Sequence, residues 1–116
     1  LNASMDEPIT VYKTALNQFR PYLSLKDAFK LFKFTLDKDL FNNDIYNALS
    51  ENCTVNQIIK KIKKFKKKIK IKFVYSEIMN QLSYHVDKKK LNKEGVFLTN
   101  KISDDIKDTI KLLKNI

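Results

Sequence analysis

The chain has 116 residues, with 23 Lys or Arg against 13 Asp or Glu, so its formal net charge is +10 at neutral pH. A hydrophobic content of 43% is enough for one modest core and excludes a largely disordered chain. The single glycine excludes the glycine-rich phosphate loop of the usual nucleotide hydrolases. Because glycine and proline are scarce, the composition predicts an all-α fold, a bundle of about five or six helices.

The first predicted helix begins at residues 6–8. The two acidic residues and the proline at these positions suit the first turn of a helix. Apolar residues then recur at helical spacing: Ile9, Tyr12, Leu16 and Phe19. Pro21 is expected to end this helix.

Two further helices are predicted between residues 24 and 50. Ser24 and Asp27 have the spacing of a capping box, which predicts a helix over residues 25–36. Asp37 or Asp39 can cap the next helix. That helix would carry five apolar residues: Leu40, Phe41, Ile45, Ala48 and Leu49.

The fourth predicted helix carries most of the positive charge. Thr54 and Gln57 again have capping-box spacing, and they predict a helix over about residues 55–68. Its apolar positions form one seam: Ile58, Ile62, Phe65 and Ile69. Lysines surround this seam, so the helix is expected to dock on a core while presenting ammonium groups to solvent.

Residues 69–75 carry a different pattern, because isoleucine and aromatic residues alternate there with lysine and valine. A period of two is typical of a strand. The expected bundle therefore leaves room for a short two-stranded or extended element near residues 69–75 and 95–99.

The last third of the chain predicts two helices and a polar loop. Residues 76–86 carry apolar side chains on one helical face, and residues 87–95 read as the loop. Residues 96–98 form a short apolar run, which is either a strand or a plug in the core. Asn100 or Ser103 precedes the final helix, whose apolar positions are Ile102, Ile106, Ile110 and Leu113.

Part of this pattern resembles a helix-turn-helix or winged-helix unit. Residues 45–52 and 54–59 would be its first two helices, and residues 76–88 its recognition helix. The spacing departs from that family, because about ten lysine-rich residues stand where the motif has a tight turn. The chain is therefore not assigned to it.

The whole sequence predicts one domain. Residues 1–4 are expected to be tag residues or a disordered start, and residues 5–116 a single helical domain; a fragment of a larger protein is the alternative. The expected core contains mainly aromatic and branched residues: Phe19, Phe29, Phe32, Phe41, Ile45, Leu49, Ile58, Ile62, Phe65, Leu82 and Ile106.

The basic segment, residues 60–72, is the predicted functional surface. Clustered lysines bind polyanions by displacing counterions, so nucleic acid is the leading partner, with little sequence specificity because Arg20 is the only arginine. The predicted contacts are Lys60, Lys61, Lys63, Lys64, Lys67, Lys68, Lys70 and Lys72.

Three alternatives stay open for the basic segment. The chain could be a protein-interaction module, such as an adaptor, immunity-type or effector protein, whose lysines are solvated or meet an acidic partner. The same helix could dock on an anionic membrane surface, which the absence of tryptophan disfavours. Codon bias of an AT-rich genome could also account for the lysines.

Cys53 and His85 are the only residues of their types. One thiol and one imidazole cannot build a zinc site, and no second group pairs with either as a nucleophile or base. The sequence therefore predicts a protein that is not an enzyme and that has no metal or cofactor. A lone cysteine also fits a reducing, intracellular compartment.

Overall fold

A computed structural model describes residues 1–75 and 82–114, and these residues form a mixed α/β structure. The strands are β1 (Ile9–Tyr12), β2 (Phe19–Tyr22), β3 (Glu51–Thr54) and β4 (Ile71–Val74). The helices are α1 (Leu25–Asp37), α2 (Val55–Phe65), α3 (Lys89–Lys93) and α4 (Ile102–Lys114). The predicted all-α bundle is therefore wrong.

The strands pair into two small sheets. β1 and β4 are parallel, with Ile9 opposite Ile71 and Tyr12 opposite Val74. β2 and β3 are antiparallel, with Phe19 opposite Thr54. Since β3 runs directly into α2 and β4 follows α2, both sheets position the basic segment.

The predicted first helix is replaced by β1, a short 3-10 turn (Lys13–Ala15) and β2. Ile9, Thr10, Val11 and Tyr12 are β-branched or aromatic, and such residues favour strands once a partner strand is present. Pro21 lies inside β2, where each strand of a two-stranded sheet is an edge and tolerates proline.

The predicted third helix does not form either. Residues 40–50 have no helix or strand, and the backbone φ angles of Asp39 and Asn43 are +50° and +55°. Asp and Asn accept this left-handed conformation more readily than most residues, and it interrupts a helix.

The predicted N-caps of the neighbouring helices are confirmed, but only the capping box at Thr54 is complete, because the Ser24 backbone N–H donates to the Ser50 hydroxyl. The side chain of Ser24 accepts a hydrogen bond from the Asp27 backbone N–H at the start of α1. Thr54 and Gln57 form a complete capping box on α2. α2 ends at Phe65, earlier than the predicted residue 68, and the alternating residues that follow contribute β4.

The core lies between α1 and the chain around α3. Leu91, Val96 and Leu98 are its fully buried members. Residues 96–98 are not a strand: Val96 and Leu98 lie in the core, and Phe97 between them is exposed. α3 lies within the predicted polar loop. Half-buried residues pack around them: Leu31, Phe34, Tyr46 and Ala48.

The predicted helix over residues 76–86 lies mostly outside the described residues. Its described part, residues 82–86, has no regular secondary structure. It is tied to the two-stranded sheet of β2 and β3, because Asn52 exchanges two hydrogen bonds of 3.0 Å with the backbone of Val86. Residues 45–52 are not helical, so the helix-turn-helix resemblance has no counterpart in the fold.

The predicted core is only partly correct. Leu49 is 2% exposed, as expected. Phe29 and Phe32, on α1, are instead 68% and 64% exposed. The prediction was also wrong for three other side chains that face solvent: Phe41, Ile45 and Leu82. Among the described residues, no helix is long and apolar enough to cross a membrane.

Candidate anion-binding surface

The basic segment is held in place by apolar residues of α2. Ile59 is buried, and Ile62 and Phe65 are half-buried on the same helix. α2 packs through this side against α4 and β3. The lysines of the segment consequently lie on the remaining faces of α2 and on the chain that leads into β4.

Two lysines of the basic segment are committed to ion pairs. Lys61 Nζ lies 2.8 Å from a carboxylate oxygen of Glu51, and both side chains are largely buried. Lys66 Nζ lies 2.7 Å from a carboxylate oxygen of Asp6. These two lysines tie the basic segment to β3 and to the start of the chain.

The other predicted lysines face solvent. Their side chains follow one another along α2 and the stretch into β4, with no acidic residue between them in sequence. A partner of negative charge would therefore meet a row of ammonium groups: Lys60, Lys63, Lys64, Lys67, Lys68, Lys70 and Lys72.

The structure gathers four of these lysines around one cleft of about 520 Å³, which we call the first cleft. Its lysines come from the end of α2 and the following chain: Lys63, Lys67, Lys68 and Lys70. Its opposite wall contains Ala3, Asp6 and Glu7. The carboxylate of Asp6 is paired with Lys66, so lysine dominates the charge of the cleft.

A second cleft of about 440 Å³ lies on another side of α2. Lys60, Lys61 and Lys64 line it together with polar groups of β3 and the first turn of α2. Both clefts have volumes within the range of small-molecule sites, roughly 300–1,000 Å³. Lys72 lines neither of these clefts and lies on β4, opposite Thr10 of β1.

Cys53 lies in the lining of the second cleft. Burial and the neighbouring Glu51 carboxylate, which accepts a 3.2 Å hydrogen bond from the thiol, raise the pKa of Cys53 to about 11. Burial would raise the pKa of Glu51, but hydrogen bonds from Lys61 and Cys53 outweigh it and lower that pKa. The carboxylate therefore stays ionised, and the thiol stays protonated at neutral pH.

The lysines next to α3 serve the fold and not an open surface. Lys88 Nζ donates hydrogen bonds to the backbone carbonyls of Leu49, Ser50 and Leu98. Lys90 Nζ pairs with the carboxylate of Asp44. From the sequence, residues 88–90 are candidates for further phosphate contacts. The structure gives all three lysines internal partners, since Lys89 Nζ also lies 3.3 Å from the Asp87 carboxylate.

His85 and Arg20 each help to join residues 82–85 to β2, the strand that contains Arg20. The His85 ring is 4.1 Å from the Phe19 ring, centroid to centroid. The Arg20 guanidinium donates to the carbonyls of Phe19 and Leu82 and lies 5.1 Å from the centroid of the Tyr84 ring. These contacts hold residues 82–85 against β2, and among the described residues no three potential ligands come together as a metal site.

Sequence reasoning found the lysines but missed the walls of both clefts. Ala3, Asp6 and Glu7 reach the first cleft only because β1 pairs with β4. Asn52 and Cys53 reach the second cleft because β3 leads into α2. No local signal in the sequence marks such residues, since the pairing of distant strands brings them there.

Comparison with known proteins identifies the fold. No protein-family model and no curated protein matches the chain. Among solved structures, it is similar to UDP-glucose 4-epimerase from Thermus thermophilus in complex with NAD, with a TM-score of 0.77 and 16% identity. The match covers 97% of this chain and 37% of that chain. The chain thus adopts part of a Rossmann-like fold, which agrees with the parallel pairing of β1 and β4.

Proposed function

We propose that this chain binds a phosphate-bearing ligand on its basic segment, with a sugar nucleotide as the best candidate. The observation that carries the proposal is the first cleft, where four lysines converge on a volume suited to a small molecule. A diphosphate carries two to three negative charges in a short span and needs such a cluster of cations.

The fold likeness supports the choice of ligand. The epimerase it resembles is named for UDP-glucose, in which a diphosphate joins a nucleoside to a sugar. Catalysis is not proposed for this chain.

The NAD of that epimerase does not fit this chain. A dinucleotide site of that fold needs several glycines in the turn between a parallel strand and a helix, so that the backbone can approach the pyrophosphate. The only glycine here is Gly95, in the turn after α3, where it follows no strand.

The test is calorimetric titration of the chain with UDP-glucose, UDP, NAD and inorganic pyrophosphate. We expect UDP-glucose and UDP to bind at micromolar to millimolar concentration, and NAD no more tightly than pyrophosphate. The double variant Lys67→Gln/Lys70→Gln should weaken binding at least tenfold. Lys93→Gln, which removes an exposed lysine that lines neither cleft, should bind as the native chain does.

Nucleic acid is the second candidate ligand, favoured by the row of exposed lysines that extends beyond the first cleft to Lys60 and Lys72. A polyanion that spans the row would show a steep salt dependence, with a log–log slope of several units. UDP-glucose binding should have a slope of about two or less. Labelled single- and double-stranded DNA and RNA in the same salt series distinguish the two, and failure of every anion to bind at low salt would refute both.

A further inference from the structure

We infer that the outer edge of β4 is a docking site for an extended polypeptide segment in which acidic and apolar residues alternate. Such a segment would add a third strand to the parallel sheet of β1 and β4. This site goes beyond the proposed function, because backbone groups of β4 and not lysines alone would hold the ligand.

The ladder between β1 and β4 uses only one edge of β4. The Ile9 N–H donates to the Lys70 carbonyl at 2.9 Å, and the register pairs Ile9 with Ile71. Successive residues of a strand direct their backbone groups to alternate sides. The N–H and C=O groups of Lys70 and Lys72 therefore face β1, and those of Ile71 and Phe73 face away from it.

The outer edge of β4 is unpaired in the part of the chain that the structure describes. No hydrogen bond of the described residues reaches the backbone N–H or C=O of Ile71 or Phe73 on this side. Among the described elements, β4 packs extensively only against β1. Phe73 is 48% exposed, so the edge is open to solvent. An unpaired row of backbone donors and acceptors is a template for a further strand.

The size of this sheet favours such an addition. Parallel sheets normally contain more than two strands and are covered on both faces. The sheet of β1 and β4 has two strands among the described residues. A strand added to β4 would satisfy the open backbone groups and enlarge the sheet without displacing β1.

The two faces of the sheet differ at this edge. Paired residues of neighbouring strands point to the same face, so Ile71 and Phe73 share a face with Val11, which is only 4% exposed. Lys70 and Lys72 point to the opposite face, and both are exposed. An added strand would continue this alternation, with every second side chain on the apolar face and the others beside the lysines.

The lysines determine the charge of the added strand. Among the described residues, the ion pairs of the basic segment are those of Lys61 and Lys66, so no carboxylate is paired with Lys70 or Lys72. Opposite charges on neighbouring strands attract each other, and like charges repel. A second copy of β4 would place lysine beside lysine, which disfavours self-pairing at this edge. Acidic residues that alternate with apolar ones match both faces.

The test is fluorescence anisotropy of the full chain with a labelled synthetic peptide of alternating glutamate and valine. Two further probes carry N-methyl groups, either on the central valines or on the central glutamates. Only one of these sets has its N–H groups directed at β4 in a given strand direction. We expect one methylated probe to bind at least tenfold more weakly and the other to bind as the unmodified peptide does.

Two charge reversals separate the edge from the overall charge of the chain. Lys72→Glu should weaken binding of the glutamate–valine probe at least threefold and strengthen binding of a lysine–valine probe. Lys93→Glu makes the same change in net charge at an exposed residue of α3 and should leave both affinities unchanged. Equal effects of the two methylations, equal effects of the two charge reversals, or no binding of the glutamate–valine probe at low salt would overturn the inference.

Discussion

The Asp27 carboxylate, on a residue that is only 3% exposed, accepts a hydrogen bond of 2.6 Å from the Ser50 hydroxyl. The same oxygen accepts a 2.9 Å hydrogen bond from the backbone N–H of Asn100. One buried carboxylate thus joins the first turn of α1, the chain before β3 and the chain before α4. Loss of it would leave one buried and one half-buried donor without this partner.

Asp27→Ala should therefore lower the free energy of unfolding by about 2–3 kcal/mol. Urea denaturation followed by circular dichroism measures this. The control is Asp37→Ala on the same helix, where the exposed ion pair with Lys33 should contribute less than about 0.5 kcal/mol. Equal losses in the two variants would contradict the structural role of Asp27.

The ion pair of Lys61 and Glu51 should make part of the stability of the folded chain depend on pH in the acidic range. Since the pKa of Glu51 is lowered in the folded chain from an ordinary value of 4.5, its contribution is present above about pH 4.5. That contribution is lost as the pH falls through the folded-state pKa, because the protonated carboxyl no longer attracts Lys61.

Lys61→Met should make the stability of the chain depend less on pH in this range. Urea midpoints measured from about pH 7 down to about pH 3 should fall less steeply for Lys61→Met than for the native chain. Lys60→Met removes an exposed lysine of the same helix and should keep the native slope. A native slope in Lys61→Met would show that the pair does not stabilise the folded state.

Cys53 should react slowly with alkylating reagents. Its pKa of about 11 lies two units above the ordinary value of 9.0, which lowers the thiolate fraction at pH 8 about 100-fold. Burial adds to this protection, since the residue is 4% exposed. Iodoacetamide labelling at pH 8 should be at least about 100-fold slower in the native chain than in urea, and comparable rates would refute the assignment.

Lys88 is expected to stabilise the fold through its three carbonyl acceptors. Lys88→Met keeps most of the stem and removes the ammonium, which should cost about 2–3 kcal/mol and lower Tm by about 10 °C. Differential scanning calorimetry measures the change. Lys89→Met, whose side chain is 85% exposed, should change Tm by less than about 2 °C.

The sequence was most informative where the structure is determined locally. The caps at Ser24 and Thr54 depend on residues three positions away, and both helices begin where those patterns predict. The basic segment could likewise be located from its lysines alone. The all-α prediction was wrong because β1 can be a strand only when β4 pairs with it, and a single sequence does not show such a partner.

The wrongly predicted core has a related cause. Phe29 and Phe32 are predicted in the core because they follow the helical apolar periodicity. That periodicity identifies an apolar helix face but does not identify the element that packs against it. The described chain covers the Leu31 and Phe34 side of α1 and leaves the other side open. The two clefts could not be predicted for the same reason, since their walls are joined only by the sheets.

The parallel pairing of β1 with β4 also sets an order of events during protein synthesis. Ile9 pairs with Ile71, so β1 leaves the ribosome well before its partner has been translated. At 5–20 residues per second the delay is roughly 3–12 seconds. Val11, 4% exposed in the finished fold, spends that time uncovered, so nascent chains halted before residue 71 should be more readily captured by chaperones than chains extended beyond β4.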